Sequence, residues 1–131
     1  MKHRFFLSAL AGIAITAGCS GGSVTDPSPV VGTYTLQTIN GQKPPQPLAS
    51  GIDIVGGRVS LREDGMFHQE MDLRTTSGGV TSNGTAHMFG TYFRRGNRIS
   101  VTWNGGGSNT FTLSGATITQ TQQRLTLVYA R

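Results

Sequence analysis

The chain has 131 residues, a formal net charge of +5 from 11 basic and 6 acidic residues, and one cysteine. A lone cysteine excludes an intramolecular disulfide, so stability must come from an apolar core and from strand pairing. The charge is too modest to argue for nucleic acid, and removing residues 1–18, which hold Lys2 and Arg4, lowers it from +5 to +3.

Residues 1–18 are predicted to be a signal peptide. Lys2 and Arg4 precede residues 5–16, which carry no charge and are mostly apolar. This stretch is shorter than the roughly 20 residues that a helix needs to cross a bilayer. A basic start, a short apolar stretch and small residues before a cysteine are typical of an export signal.

Cys19 is predicted to carry a lipid. Ala17, Gly18 and Cys19 resemble the lipobox of bacterial lipoproteins, although Thr16 stands where that family prefers leucine. The resemblance implies a diacylglycerol on the Cys19 thiol, an acyl chain such as palmitate on the freed amine, and a firm membrane anchor. Through Ser20, which follows the cysteine, the resemblance also implies the outer membrane of the bacterial cell envelope, facing the periplasm or the surface.

The lipidated cysteine and a flexible tether are predicted to occupy residues 19–30, before a β-barrel domain at 31–131. The tether is rich in glycine, serine and proline and has almost nothing to bury. It would hold the folded domain away from the bilayer.

The first half of the domain alternates apolar and polar residues with a period of two, which indicates half-buried strands. Asn40 and Gly41 predict a turn. Residues 42–48 contain three prolines and must be extended and unpaired, or lie at a sheet edge. Gly56 and Gly57 close one short strand before the next. The strands predicted here are residues 33–39, 52–54 and 58–62.

The second half continues the pattern. Residues 75–79 are predicted to be a loop, and residues 80–85 are polar and receive no assignment. Gly96 with Asn97 predicts a tight hairpin, and residues 104–109 a glycine-rich loop. The predicted strands are residues 67–73, 86–94, 99–103, 111–113, 116–120 and 124–129.

The fold class is therefore all-β. Eight to ten short sequential strands, with no helical stripe, favour an antiparallel up-and-down meander that closes, or nearly closes, into a small barrel. A β-sandwich is the alternative, because periodicity alone does not separate the two.

Four short segments resemble the small lipocalin-like lipoproteins of bacteria. These are Gly-x-Tyr-x-Leu at residues 32–36, Leu-x-x-Asp-Gly-x-Phe at 61–67, Gly-x-Tyr at 90–92 and the strand start at 97–101. The resemblance implies an up-and-down barrel and supplies no catalytic residues.

The sequence contains few side chains that could bind a metal or take part in catalysis. His68 and His87 lie 19 positions apart in different predicted strands, and Glu70 and Asp72 share the face of His68. Because a transition-metal site needs three or four convergent ligands, these residues are interpreted as solvent-facing, and no metal site is expected. Glu63 and Asp64 point in opposite directions on a strand, and Asp64-Gly65 is better explained as a turn.

No nucleophile elbow, phosphate-binding loop or HExxH motif is found. The sequence therefore predicts no catalytic residues, no cofactor and no enzyme activity. The basic residues Arg94, Arg95 and Arg98 are interpreted as a charged hairpin tip that keeps a sheet edge soluble.

Two functions remain. The first is a non-catalytic binding module for a small apolar ligand or a partner protein, whose cavity would be lined by Tyr34, Trp103, Phe111 and Tyr129. A hollow interior or an exposed apolar mouth would support it. The alternative is an inhibitor or envelope assembly factor that binds another protein through loops such as 44–48 or 104–109. A filled interior and rigid loops would support that function.

Overall fold

The computed structural model describes residues 30–131. Within this range the chain forms nine β-strands and no helix long and apolar enough to span a bilayer. The strands are β1 (Gly32–Ile39), β2 (Gln46–Ala49), β3 (Ile52–Leu61), β4 (Met66–Ser77), β5 (Val80–Arg95), β6 (Arg98–Trp103), β7 (Ser108–Ser114), β8 (Thr117–Gln122) and β9 (Leu125–Ala130). The predicted signal peptide, Cys19 and the tether up to residue 29 lie outside the described residues.

Eight of these strands close into a barrel. The antiparallel order runs β1-β9-β8-β7-β6-β5-β4-β3, and β1 also pairs with β3, so the sheet returns to its first strand. β2 is an additional strand on the outer edge of β3. The predicted up-and-down barrel is confirmed, and the chain does not form the alternative sandwich.

β3 is one continuous strand, where two short strands were predicted. Its register against β4 shifts between Ile54 and Gly56, which marks a bulge. A Cβ on Gly57 would lie 2.9 Å from the carbonyl oxygen of Glu70, so glycine lets the two backbones approach. The first half of β3 pairs with β2 and the second half with β1. The proline-rich segment lies at a sheet edge, as predicted, since β2 pairs with β3 alone.

The β4–β5 hairpin corrects one prediction and assigns a segment that the sequence left open. The loop predicted at residues 75–79 is strand up to Ser77, and residues 80–85 belong to β5. Only Gly78 and Gly79 turn the chain, with φ values of 58° and 80° that favour glycine. From residue 80 to 88, β5 pairs with β4 but not with β6, so the hairpin extends beyond the barrel wall. We call residues 80–88 of β5, the residues 69–77 of β4 that pair with them and the turn between them the ribbon.

The barrel interior is filled by side chains. Tyr34, Phe67, Phe111 and Tyr129 are almost completely buried, and the Phe67 and Phe111 ring centroids lie 5.5 Å apart. These residues come from four different strands, as expected when inward positions alternate around a barrel. The predicted inward faces of the strands are confirmed at these positions.

The two ends of the barrel differ. The chain enters at Val30, beside the turns at residues 62–65, 96–97 and 115–116; we call this the entry end. The ribbon, the connection after β1 and the turns at 104–107 and 123–124 lie at the opposite end, which we call the loop end.

Candidate ligand-binding site

A cavity of about 470 Å³ opens at the loop end. Its volume falls in the range of roughly 300–1,000 Å³ that is usual for small-molecule sites. The residues that line it come from β5, the end of β6, the following turn and β8. They are His87, Met88, Phe89, Trp103, Asn104, Gly105, Gly106 and Gln122.

The cavity forms where β6 leaves β5. Their ladder ends at the pair Gly90 and Trp103, and the Asn104 amide then donates to the Phe89 carbonyl over 2.9 Å. Beyond this point β5 continues into the ribbon, while β6 turns away through the glycines at 105–107. A Cβ on Gly90 would lie only 2.1 Å from the Thr102 carbonyl oxygen, so this close approach of β6 requires glycine.

Trp103 joins the cavity to the core. Its ring meets that of Phe67 edge-to-face, with centroids 5.1 Å apart and planes at 74°. The Trp103 amide donates to the Gly107 carbonyl over 3.0 Å and fixes the turn. The tryptophan is therefore held between the packed interior and the cavity that it lines.

Met88 supplies a second apolar wall. It stands opposite Gln69 across the β4–β5 ladder. Since directly paired residues lie on the same face of a sheet and Gln69 is buried inside the barrel, Met88 also faces inward. Asn104 and Gln122 bring amide groups to the same cavity.

Of the four aromatic residues predicted to line a cavity, Trp103 does so. Tyr34, Phe111 and Tyr129 are fully buried in the filled interior. The Tyr34 hydroxyl donates to the Val30 carbonyl over 2.8 Å, at the entry end. Alternation assigned all four to the inside correctly, but it gives no depth along the barrel axis.

A buried polar cluster crosses the interior. The Gln69 amide nitrogen donates to Gln120 Oε1 over 2.9 Å and to the Tyr129 hydroxyl over 2.8 Å. Gln69 Oε1 is buried without a hydrogen-bond partner. Burial raises the pKa of Tyr129 to about 12, although the bond from Gln69 acts in the opposite direction. The tyrosine therefore stays neutral at ordinary pH.

Met88 and Gln122 line the cavity although neither was predicted to do so. Met88 lies within a correctly predicted strand, and its apolar side chain between His87 and Phe89 was the available signal. Gln122 ends a strand that was predicted to stop at residue 120.

The outer face of the barrel brings the two histidines together. Glu70 pairs with His87, and His68 with Phe89, across the β4–β5 ladder. His68 Nε2 lies 3.2 Å from His87 Nδ1, and each of these nitrogens is 3.8 Å from Glu70 Oε1. Arg58 Nε donates to the other oxygen of Glu70 over 3.0 Å, and this bond lowers the pKa of the carboxyl.

The other charged candidates take part in turns. Asp64 Oδ1 accepts from the Met66 amide over 3.1 Å, and this bond confirms the turn predicted there. Arg94 Nε donates to the Gly96 carbonyl over 2.7 Å at the β5–β6 hairpin.

Comparison of the chain with protein-family models, curated proteins and solved structures found no match.

Proposed function

We propose that the protein is a lipid-anchored, lipocalin-like lipoprotein of the bacterial envelope that binds a small apolar ligand without catalysis. The observation that carries this proposal is the loop-end cavity, whose wall contains Trp103 and Met88. Two apolar side chains beside the amides of Asn104 and Gln122 suit a ligand with an apolar body and one hydrogen-bonding group.

The cavity is poor in groups for chemistry. Among the described residues that line it, His87 is the one with a titratable side chain. Amide side chains donate and accept hydrogen bonds but do not exchange protons near neutral pH. This composition supports binding rather than acid–base or nucleophilic catalysis.

The direction of the chain supports an anchored arrangement. Val30 enters the barrel at the entry end, opposite the cavity. A lipid on Cys19, joined through the proposed flexible tether at 19–30, would therefore be attached at the end of the barrel opposite the cavity and would leave the cavity open to ligand.

Tryptophan fluorescence tests ligand binding directly, because Trp103 is the single tryptophan of the chain. The apolar probe 1-anilinonaphthalene-8-sulfonate should change the Trp103 emission saturably. Met88→Ala should weaken probe binding about tenfold or more, since burying a methionine side chain contributes about 1.5–3 kcal/mol. Met66→Ala removes a methionine of β4 that does not line the cavity, and should bind like the unaltered protein.

A linear, non-saturating response of the unaltered protein would argue against the cavity as a binding site. Equal weakening by both methionine variants would point to a general change of the fold instead.

Membrane fractionation with intact-mass measurement tests the anchor. The unaltered protein should appear in the envelope membranes with the added mass of acyl chains on residue 19. Cys19→Ser should remove that mass and release the protein from the membranes. An unaltered protein that is freely soluble with an unmodified thiol would contradict the anchor while leaving the cavity intact.

One observation favours the second function, binding of another protein. Residues 80–88 of β5 pair with β4 on one side only and contain no proline, lysine or carboxylate. Natural sheet edges usually carry such residues to prevent pairing with another chain, and an added strand is a common mode of peptide binding. The filled interior also fits this alternative.

Photocrosslinking distinguishes the alternative. A photoreactive residue at Asn83 should give a discrete adduct with one envelope protein if the edge binds a partner. The ligand-binding function predicts no such adduct.

A further inference from the structure

We propose that His68, Glu70 and His87 bind a divalent transition-metal ion, with Zn²⁺ as the reference case, on the outer face of the barrel. The three ligand atoms, His68 Nε2, His87 Nδ1 and Glu70 Oε1, lie 3.2–3.8 Å from one another. Two donors bound to one tetrahedral zinc ion at about 2.0–2.1 Å are about 3.3 Å apart. The observed spacing therefore leaves room for one ion with small side-chain movements.

The strand ladder fixes this arrangement. Glu70 and His87 are direct cross-strand partners, and His68 precedes Glu70 by two residues on the same face of β4. The Phe89 ring stacks on His68, with centroids 4.4 Å apart and planes at 4°. Because regular strands carry all three ligands, less conformational freedom is lost on metal binding than at a loop site.

Arg58 orients the carboxylate. Its guanidinium nitrogens donate to Glu70 Oε2, which leaves Oε1 directed at the histidines. Groups that hold a ligand from outside usually set its direction and influence metal affinity. The positive charge of Arg58 also opposes a bound cation, so we expect weaker binding than at a four-ligand structural zinc centre.

The donor set selects the class of metal. Two imidazoles and one carboxylate suit Zn²⁺, Cu²⁺ or Ni²⁺, whereas Mg²⁺ and Ca²⁺ prefer oxygen ligands alone. Three protein ligands leave a coordination position for water or an external ligand. The side chains are 26%, 19% and 47% exposed for His68, Glu70 and His87, so an ion can enter without opening the core.

Binding would replace the hydrogen bond between the two imidazoles. One of the two facing nitrogens carries the shared proton in the metal-free protein. That proton must move to the other nitrogen of its own ring, because both facing nitrogens need free electron pairs to coordinate the ion. Asp72 does not take part, since its Oδ1 accepts from the Thr85 hydroxyl over 2.9 Å.

Titration calorimetry with zinc chloride tests the site. The full chain is used without a polyhistidine tag and with Cys19→Ser, so that no unacylated thiol competes for zinc; this chain is the parent for the variants below. We expect one zinc ion per chain. His68→Ala and His87→Ala should each weaken binding by more than about 100-fold, because loss of an outer partner alone costs about 10–100-fold.

A matched pair of carboxylate variants provides the control. Glu70→Gln should weaken zinc binding about tenfold or more. Glu63→Gln neutralises an exposed carboxylate of the β3–β4 turn and should leave the affinity unchanged. Zinc should raise the Tm of the parent chain and of Glu63→Gln, with a much smaller rise in the two histidine variants.

Proton NMR of the parent chain covers the case in which a variant fails to fold. Zinc should shift the imidazole resonances of His68 and His87 together, at one equivalent of metal. No binding at millimolar zinc, or equal affinity in all variants, would overturn the proposal. His87 also lines the loop-end cavity, but the inference does not rest on the proposed ligand, because the metal would be held by His68 and Glu70 together with His87 and needs no occupant of the cavity.

Discussion

Gly90 gives the sharpest prediction, because an added Cβ there would lie nearer to another atom than at any other described glycine. In Gly90→Ala the new Cβ would lie 2.1 Å from the Thr102 carbonyl oxygen and 3.2 Å from the Trp103 Cα. Neither obstacle is a flexible side chain, so β6 must move away by about 1 Å, an overpacking that typically costs 1–3 kcal/mol. The hydrogen bond from the Asn104 amide to the Phe89 carbonyl lies next to this contact, and its loss would add about 1 kcal/mol.

We therefore expect Gly90→Ala to lower the free energy of unfolding by about 2–4 kcal/mol. For a domain of this size, that corresponds to a fall in Tm of about 8 °C or more. Urea unfolding followed by circular dichroism measures the change. Gly84→Ala is the matched control in the same strand, because its Cβ would meet nothing within 4 Å. It should stay within about 0.5 kcal/mol of the parent. A Gly90→Ala protein as stable as Gly84→Ala would refute the reasoning.

Three further predictions concern stability. The stabilising effect of neutral Tyr129 should be complete below pH 10 and decrease as pH rises toward about 12, by about 2–3 kcal/mol in total. Burial also raises the pKa of Tyr34 and of Tyr92, so Tyr129→Phe should reduce the loss of stability above pH 10 without abolishing it; urea unfolding at a series of pH values measures the difference. Asn40→Ala should lower the free energy of unfolding by about 1–2 kcal/mol, because Asn40 has a φ of 51° and its Oδ1 accepts from the Thr126 amide. Asn40→Gly should lower it less, since glycine adopts a positive φ without strain; thermal unfolding measures both. Phe67→Ala should cost about 3–5 kcal/mol and shift Trp103 emission to the red, since it removes the ring that contacts Trp103; an unchanged emission spectrum would contradict that packing.

The sequence predicts most strands because one face of each is buried. In β6, Ile99 and Val101 are buried while Arg98, Ser100 and Thr102 are not, and this difference produces the period of two in the sequence. The end of the ribbon is not predicted by this pattern. Residues 75–87 are exposed on both faces, so burial imposes no alternation and the polar sequence resembles a loop.

The same misassigned hairpin hides the histidine cluster. A two-residue turn at Gly78 and Gly79 pairs Ser77 with Val80, and the ladder then places Glu70 opposite His87. A five-residue loop gives no such register, so the 19-position separation of the histidines suggests two unrelated side chains. The length of the turn sets the register of a hairpin. The sequence therefore gives the correct register only when Gly78 and Gly79 alone are taken as the turn.

The candidate cavity is predictable only in part. Alternation places Trp103, Phe111 and Tyr129 inside the barrel, and all three are there or at its mouth. Alternation does not show that β6 is shorter than β5 and stops pairing with it before the ribbon. That difference in length opens the cavity, and it depends on where the ladder stops at Gly90.

Native mass spectrometry of the protein isolated from its host membranes tests ligand binding most directly. Under gentle activation the unaltered protein should carry one small molecule beyond its covalent acyl chains, and stronger activation should release that molecule. Met88→Ala should retain much less of it, and Met66→Ala should retain the same amount. The bare acylated mass alone, in all three proteins and under the gentlest conditions, would contradict a ligand held at the loop end.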